Sequence, residues 1–317
     1  MSRNLPALAL AAIALAGGAA HADAPRVAAD VAPVHALAAR VMEGVGAPDL
    51  IVAPGATPHA YALRPSEAAA LQDADLVFWV GPALTPWMEG AIDALAPDAA
   101  AVALLEADGT TRLPIRDGAL FEADGHEDHE DHGITESGHE GSAVEAGHAD
   151  DPHAWLSPQN AASWLGTIAD ALSAADPAHA EAYAANAAAG RQEIAALTAE
   201  IEARLAPVRG RRFIVFHDAY QYFERSFDMP ASGAISLGDA SSPSPARIEE
   251  IRARVAREGI GCVLAEPQFN PGLIATVLEG TDASTGVLDP LGAGLEPGAA
   301  LYGQLLRNLA GTLADCL

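Results

Sequence analysis

Short apolar runs alternate with helical patterns along most of this chain, and this alternation restricts its fold more than any other sequence feature. Each run is rich in Val, Ile, Leu or Ala. The runs span residues 26–29, 49–53, 74–80, 101–105, 212–216, 234–236, 262–265 and 285–288. Strands that alternate with helices are typical of parallel sheets with helices packed on their faces. The alternation therefore predicts an α/β architecture in both halves of the chain.

A long helical segment separates the two groups of strands. After a helix predicted over 158–174, Asp176 is a suitable N-cap with Pro177 at the first helical position, and an Ala-rich pattern continues without a breaker to Leu205. At about 30 residues, this helix is long for a globular domain. We therefore predict an α/β fold of two lobes, each with a central, mostly parallel β-sheet flanked by helices, joined by one long linker helix. The expected boundaries are an N-terminal lobe over 23–175, the linker helix over 176–206 and a C-terminal lobe over 207–317.

The start of the chain has the three regions of a secretory signal peptide. Arg3 precedes an apolar run over 5–16 and a small-residue site over 20–22, so we expect a signal over 1–22 that is cleaved after Ala22. The apolar run is far shorter than the roughly 20 residues that span a membrane, and no later segment is long and apolar enough. The sequence thus predicts a soluble, exported protein of a Gram-negative periplasm.

The charge of the chain restricts its partners. Its 43 acidic and 17 basic residues give a formal net charge of −26. This charge repels nucleic acids and anionic lipid surfaces over a long range and favours cationic ligands. We therefore expect no nucleic-acid binding and no direct membrane insertion.

The chain has two cysteines, Cys262 and Cys316. In an oxidising compartment such a pair favours a disulfide, which would stabilise the fold by roughly 4 kcal/mol on the chain-entropy model. Two buried free thiols or a pair of soft metal ligands are the alternatives. No cysteine stands directly after the predicted cleavage site, which argues against a lipid anchor at the new N-terminus.

The segment over 122–151 differs in composition from the rest of the chain. It holds five of the eleven histidines among eleven Asp and Glu residues and almost no large apolar residue. It cannot bury enough apolar surface to fold by itself. Its histidines are either solvated or form a second, weaker metal site; they are His126, His129, His132, His139 and His148.

Good metal ligands follow three of the predicted strands. His59 lies in the loop after 49–53, His217 directly follows 212–216, and Asp289 directly follows 285–288. Ligands bind beyond the carboxyl ends of the strands in open α/β sheets, where successive loops converge. His153 stands just before a predicted helix and can supply a fourth ligand. Three imidazoles with a carboxylate or water suit tetrahedral zinc.

Several stretches of sequence carry a family resemblance. They are PHAYALRPS at 58–66, the acidic His-rich segment, DPHAWLSP at 151–158, FHDAYQYFE at 216–224, CVLAEPQF at 262–269, LDPLG at 288–292 and the C-terminal Cys316. In this order they cover the mature chain nearly from end to end. The chain resembles the zinc-type members of the cluster A-I (cluster 9) metal-binding solute receptors of ABC transporters, the ZnuA family.

This resemblance implies a set of site residues. His59, His153 and His217 are expected to be metal ligands. Asp289 stands where relatives carry a carboxylate ligand, a position that water or a nearby acid can also take in zinc members. Manganese-type relatives carry Glu in place of His217, so an imidazole there favours zinc. The resemblance also implies that Cys262 and Cys316 are joined and that the His-rich segment is a secondary zinc site.

Two other residues have open roles. His35 follows the first strand and is either cleft lining or a further ligand. Glu266 follows the strand over 262–265 and is either a hydrogen-bonded structural acid or a residue that orients a ligand histidine.

The function implied is a high-affinity zinc receptor, a monomer without catalytic activity, that delivers zinc to an ABC-transporter membrane permease with its cytoplasmic ATPase. One alternative is a periplasmic zinc buffer or metallochaperone without a transporter. A zinc hydrolase is a weaker alternative, because the chain has no recognisable general-base motif.

Overall fold

The computed structural model describes residues 24–116, 118, 121, 149–236, 238 and 243–317. The predicted signal peptide and the five histidines of the acidic segment, His126, His129, His132, His139 and His148, lie outside the described residues. Within those ranges, no helix is both long enough and apolar enough to cross a membrane.

The N-terminal lobe is built on a four-stranded parallel sheet. Its strands are β1 (Val27–Ala29), β2 (Asp49–Leu50), β3 (Leu76–Trp79) and β4 (Ala100–Ala103), in the order β2-β1-β3-β4. Helices α1 (Ala32–Val41), α2 (Pro65–Gln72) and α3 (Met88–Leu95) follow the first three strands. These are the βα units that the alternation predicts.

Two helices connect the lobes. Helix α4 (Pro158–Ala175) is followed by one 3₁₀ turn over Pro177–His179, and helix α5 (Ala180–Leu205) then runs for 26 residues. The buried residues of α5 recur at every third or fourth position and are Tyr183, Ala187, Gly190, Ile194, Leu197, Ile201 and Leu205. That spacing places them on one face of the helix. The predicted long linker helix is therefore confirmed.

The C-terminal lobe repeats the plan of the first. Its strands are β5 (Phe213–His217), β6 (Ala234–Ser236), β7 (Cys262–Ala265) and β8 (Ser284–Val287), in the order β6-β5-β7-β8, and all pairings are parallel. Its helices are α6 (Gln221–Phe227), α7 (Pro245–Glu258), α8 (Pro271–Leu278) and α9 (Leu301–Cys316). A disulfide joins Cys262 on β7 to Cys316 on α9, which confirms the predicted pairing.

The two lobes share one apolar core. It contains buried residues of α1, α4, α5 and α9 and of both sheets, among them Leu37, Trp164, Ile194 and Leu305. Separate clusters cover the remaining face of each sheet: α2 and α3 in the first lobe, α7 and α8 in the second. Removing apolar surface from water contributes roughly 25 cal/mol per Å². The shared core therefore resists large rotations of one lobe against the other.

Strand ends differ from the expected bounds mainly at sheet edges. The run predicted over 49–53 forms a strand only at Asp49–Leu50, because β2 is an edge strand and pairs on one side alone. The amide of Ile51 still donates to Ala29 O at 2.9 Å. Conversely, His217 is the last residue of β5 and pairs with Ser236, whereas the sequence placed it just after the strand.

Candidate metal centre

His59, His153 and His217 line one small cavity between the two lobes. The cavity measures about 10 Å³. That is near the space that one water-sized sphere needs. The remaining wall consists of Pro58, Trp155, Glu266, Gln268, Phe269, Pro290 and Leu291. Residues that lie up to 233 positions apart in the chain thus meet around a space suited to a single ion.

His59 lies in the loop between β2 and α2, and hydrogen bonds on both sides of it hold that loop. Trp87 Nε1 donates to Pro58 O at 2.8 Å, which ties the residue before His59 to the start of α3. Tyr61 donates from its hydroxyl to Glu67 Oε1 at 2.7 Å, and Glu67 also accepts from the amide of Arg64. The position of the ring is therefore set by neighbouring secondary structure, although the loop itself has no regular backbone pattern.

His153 is held by a carboxylate two residues earlier in the chain. Asp151 Oδ1 accepts from the backbone amide of His153 at 2.9 Å and from its ring Nδ1 at 2.7 Å. An ionised carboxylate can only accept hydrogen bonds, so Nδ1 carries a proton, and Nε2 is the nitrogen that has a free lone pair in the neutral ring. Both side chains are almost fully buried. This arrangement fixes the tautomer that a metal ligand requires.

His217 is held in the same way by a carboxylate from the neighbouring strand. Glu266, directly after β7, accepts at Oε1 from the ring Nδ1 of His217 at 2.7 Å and from its amide at 3.2 Å. The Glu266 side chain is 1% exposed. Phe269 packs against the same ring, with its ring centroid 5.7 Å from that of His217. Glu266 is therefore a residue that orients the histidine, one of the two roles expected for it.

The ring spacings can be compared with those around a bound ion. If two imidazoles bind one tetrahedral zinc at about 2.0–2.1 Å, their ring centroids lie roughly 5 Å apart. The centroids are 5.3 Å apart for His153 and His217 and 5.9 Å apart for His59 and His153. Within the described ranges no three His, Cys, Asp or Glu side chains already form a group able to hold an ion. Binding would therefore require a small approach of the rings, chiefly of His59.

Asp289 follows β8 as expected, but its carboxylate faces its own backbone. Oδ1 accepts from the amides of Leu291 and Gly292 at 3.0 and 2.9 Å, and Oδ2 accepts from that of Ala293 at 2.6 Å. These bonds shape the turn that presents Pro290 and Leu291 to the cavity, whereas Asp289 itself is not part of the cavity wall. Its role as a fourth ligand stays a prediction.

His35 is placed away from the cavity. Its Nε2 lies 3.0 Å from Pro48 O, within the buried face of α1. Burial lowers the pKa of His35, because the charged imidazolium loses its hydration there. Of the two roles expected for His35, neither cleft lining nor metal ligation agrees with this position.

Sequence reasoning missed Asp151 as a functional residue. The stretch DPHAWLSP includes it, and an Asp two residues before a candidate ligand histidine was the available signal. It also missed Arg116, which bridges Asp218 and Glu224. No local pattern indicated that ion cluster, because Arg116 and Asp218 are separated by 102 positions.

The chain is similar in sequence to known zinc-uptake proteins. The chain matches the family described as zinc-uptake complex component A, periplasmic (ZnuA), over residues 27–316. It is 44% identical to the high-affinity zinc uptake system protein ZnuA of Brucella abortus (strain 2308), over 99% of each chain. It is 45% identical to the protein of that name from Paracoccus denitrificans (strain Pd 1222), over 97% of this chain and 96% of the relative.

A solved structure has the same fold. The crystal structure of a ZnuA deletion mutant with zinc bound covers 93% of this chain and 98% of its own, with a TM-score of 0.73 and 24% identity. At that identity the likeness concerns the fold alone. It agrees with the two-lobed α/β architecture predicted from the sequence.

Proposed function

The chain belongs to the ZnuA family of periplasmic components of zinc-uptake complexes, and from this premise we propose that it captures zinc between its lobes and delivers it to an ATP-driven importer. Zinc is the cargo, and no reaction is catalysed. The importer consists of a membrane permease with a cytoplasmic ATPase. The receptor works in the periplasm after cleavage of its signal peptide behind Ala22.

In this proposal His59, His153 and His217 are the zinc ligands. The observation that carries the assignment is the shared arrangement of two of these rings, each held at Nδ1 by a buried carboxylate at 2.7 Å. Such carboxylates orient a ligand imidazole and raise its basicity. The fourth position is taken by Asp289, after a change in its turn, or by water. Nitrogen donors at three positions favour zinc over harder, oxygen-seeking ions.

Capture and release depend on a small change in the spacing of the lobes. His59 and His153 belong to the first lobe and His217 to the second, so zinc binds most tightly when the lobes are close. The shared core around α5 limits this motion to a modest tilt. The permease recognises the zinc-loaded form, in which the lobes are close. Zinc shifts the protein from the form with separated lobes to this one, and the extent of the shift depends on the difference in zinc affinity between these two forms.

Calorimetry of the demetallated protein tests this function. We expect one tight zinc equivalent in the wild type, and a loss of zinc affinity of at least about 100-fold in His153→Ala and in His217→Ala, because each variant removes one of three strong donors. His179→Ala is the matched control. His179 bonds to Asp176 at the start of the long helix, outside the cavity, and this change should leave the tight site intact. Wild-type affinity in both cavity variants would refute the ligand assignment.

A further inference from the structure

A short hairpin stem stands beside the cavity. Pro114 and Asp150 form an antiparallel bridge, the amide of Ile115 donates to Ala149 O at 2.9 Å, and that of Asp151 donates to Leu113 O at 2.8 Å. We call residues 112–116 and 149–151 the stem. Its second arm ends at Asp151, the carboxylate that holds the ring of His153. Any movement of the stem therefore acts directly on one wall of the cavity.

The stem, which precedes α4 in the chain, is docked on α6 of the other lobe through a buried tyrosine. The hydroxyl of Tyr222 accepts from the amide of Leu113 at 2.9 Å and donates to Asp151 O at 3.0 Å. Tyr222 is 2% exposed. Both arms of the stem are thus attached to one side chain of α6, a helix that begins four residues after His217.

Arg116 makes a second attachment, and it is ionic. Its Nε lies 3.0 Å from both carboxylate oxygens of Asp218, and its Nη1 and Nη2 each lie 2.9 Å from an oxygen of Glu224. Nη2 also donates to Asp218 Oδ1. The side chains of Asp218 and Glu224 are each 6% exposed. Two buried carboxylates are therefore neutralised in part by one guanidinium from the stem.

These contacts join the two halves of the metal site without passing through the long helix. One path runs from His153 through Asp151 to Tyr222, and the other from His217 through its neighbour Asp218 to Arg116. A planar guanidinium bound by two carboxylates has little freedom of orientation, and the buried setting strengthens each bond. The stem therefore resists changes in the distance between the two rings.

We propose that Arg116 and Tyr222 are positioning residues for zinc, which hold His153 and His217 near their binding distance before the ion arrives. This inference rests on the proposed function. Because the rings are held in advance, less of the binding free energy is spent on ordering the site. Neither residue contacts the ion; each acts through the stem and α6.

Two variants and a matched control test the proposal. Tyr222→Phe removes one hydroxyl, and Arg116→Gln removes the ion pairs with Asp218 and Glu224. We expect each to lower zinc affinity by about 10- to 100-fold, the range found when partners of metal ligands are removed. The control is Arg40→Gln. Arg40 also bridges two carboxylates, Glu43 and Glu193, at 14% exposure against 18% for Arg116, but it lies on α1 and links that helix to α5, away from the stem. It should leave zinc affinity unchanged.

The spectrum of bound cobalt(II) distinguishes a positioning role from a merely structural one, because loss of a merely structural residue would leave the spectrum unchanged. Its visible absorption bands report coordination number and geometry. We expect these bands to shift in Arg116→Gln and Tyr222→Phe and to stay at the wild-type positions in Arg40→Gln. If Arg116→Gln does not fold, the triple variant Arg116→Met, Asp218→Asn and Glu224→Gln replaces the charges together and is measured in its place.

The outcomes separate the two hypotheses. Wild-type zinc affinity and wild-type cobalt bands in folded Tyr222→Phe and Arg116 variants would overturn the positioning role and leave the proposed function standing. A wild-type protein without a tight zinc site would overturn both. An equal loss of affinity in Arg40→Gln would show that general destabilisation, and not the stem, controls the site.

Discussion

At the scale of single residues, the site depends on buried carboxylates whose partners are backbone amides or imidazole rings. Asp151 and Glu266 each accept from an amide and from the ring of the same histidine. The amide fixes the carboxylate, and the carboxylate fixes the ring. Charge-assisted hydrogen bonds of this kind are roughly twice as strong as neutral ones. One carboxylate residue per histidine is therefore enough to fix the position of its ring.

Asp30 is a buried carboxylate outside the site. It follows β1 and accepts from the amides of Val31 at 2.7 Å and Val80 at 2.8 Å, with no exposed surface. Burial raises the pKa of Asp30 from 3.8 to about 7, although the backbone amides act in the opposite direction. The folded state therefore binds this proton more tightly than the unfolded state does. Its contribution to stability is complete below pH 4 and is lost as the pH rises through 7.

Asp30→Asn should change how the stability of the protein depends on pH. An amide does not titrate, so the free energy of unfolding of the variant should lack the part of the pH dependence that Asp30 causes. Between pH 5 and pH 8 the free energy of unfolding of the wild type should fall by about 2 to 3 kcal/mol relative to that of the variant. Urea unfolding of both proteins with zinc chelated measures this difference. Parallel pH profiles would contradict the assigned pKa.

At the scale of elements, close helix contacts determine how the lobes are joined. The buried stripe of α5 includes Gly190, which faces Leu165 of α4. A Cβ at Gly190 would lie 2.8 Å from Leu165 Cδ1 and 3.3 Å from Arg40 Cγ. Leu165 has no exposed surface. The missing side chain at Gly190 is therefore what allows α4 and α5 to approach each other.

Gly190→Ala should destabilise the protein. The helix gains roughly 1 kcal/mol from the better propensity of alanine, but overpacking a tight core costs roughly 1–3 kcal/mol, so a net loss of about 1 kcal/mol is expected. Gly90→Ala in α3 is the control, because a Cβ there meets nothing within 4 Å. It should stabilise the protein by up to about 1 kcal/mol. Urea midpoints compare the two, and equal shifts of the same sign would exclude the packing explanation.

At the scale of the whole molecule, the two proposed metal regions differ in how they are built. The proposed ligands of the cavity lie on loops and strand ends that packed lobes hold in place. The acidic segment has a composition that cannot form a core, so it loses conformational entropy whenever it wraps an ion. The cavity should therefore bind zinc far more tightly than the segment does.

Deletion of residues 125–147 tests this difference. The stem residues remain, so we expect one tight zinc equivalent to persist while the weaker equivalents disappear. The double variant His59→Ala and His153→Ala should do the reverse, losing the tight equivalent and keeping the weak ones. Calorimetric titration of both proteins gives the two stoichiometries. Loss of the tight site in the deletion variant would make the acidic segment the primary receptor.

Local pattern was sufficient for most elements and for the disulfide. The alternation of strands and helices, the Asp176–Pro177 start and the unbroken Ala-rich run predicted two parallel sheets and a long helix, because these patterns reflect backbone preferences within one or two turns. The number and compartment of Cys262 and Cys316 favoured a disulfide, and the family resemblance implied their pairing. Family resemblance singled out His59, His153 and His217, which the structure brings to one cavity.

The sequence by itself determined which elements form, and family resemblance indicated which histidines meet, but only the tertiary structure decided how they are held. Glu266 reaches His217 across 49 positions and Arg116 reaches Asp218 across 102. Asp289 turns to the amides of its own loop, and the ends of edge strands depend on which neighbour pairs with them. The physical reason is that side-chain partners far apart in the chain are selected by packing and by the cost of burying an unpaired charge. Packing and this cost of burial act only once the core has formed.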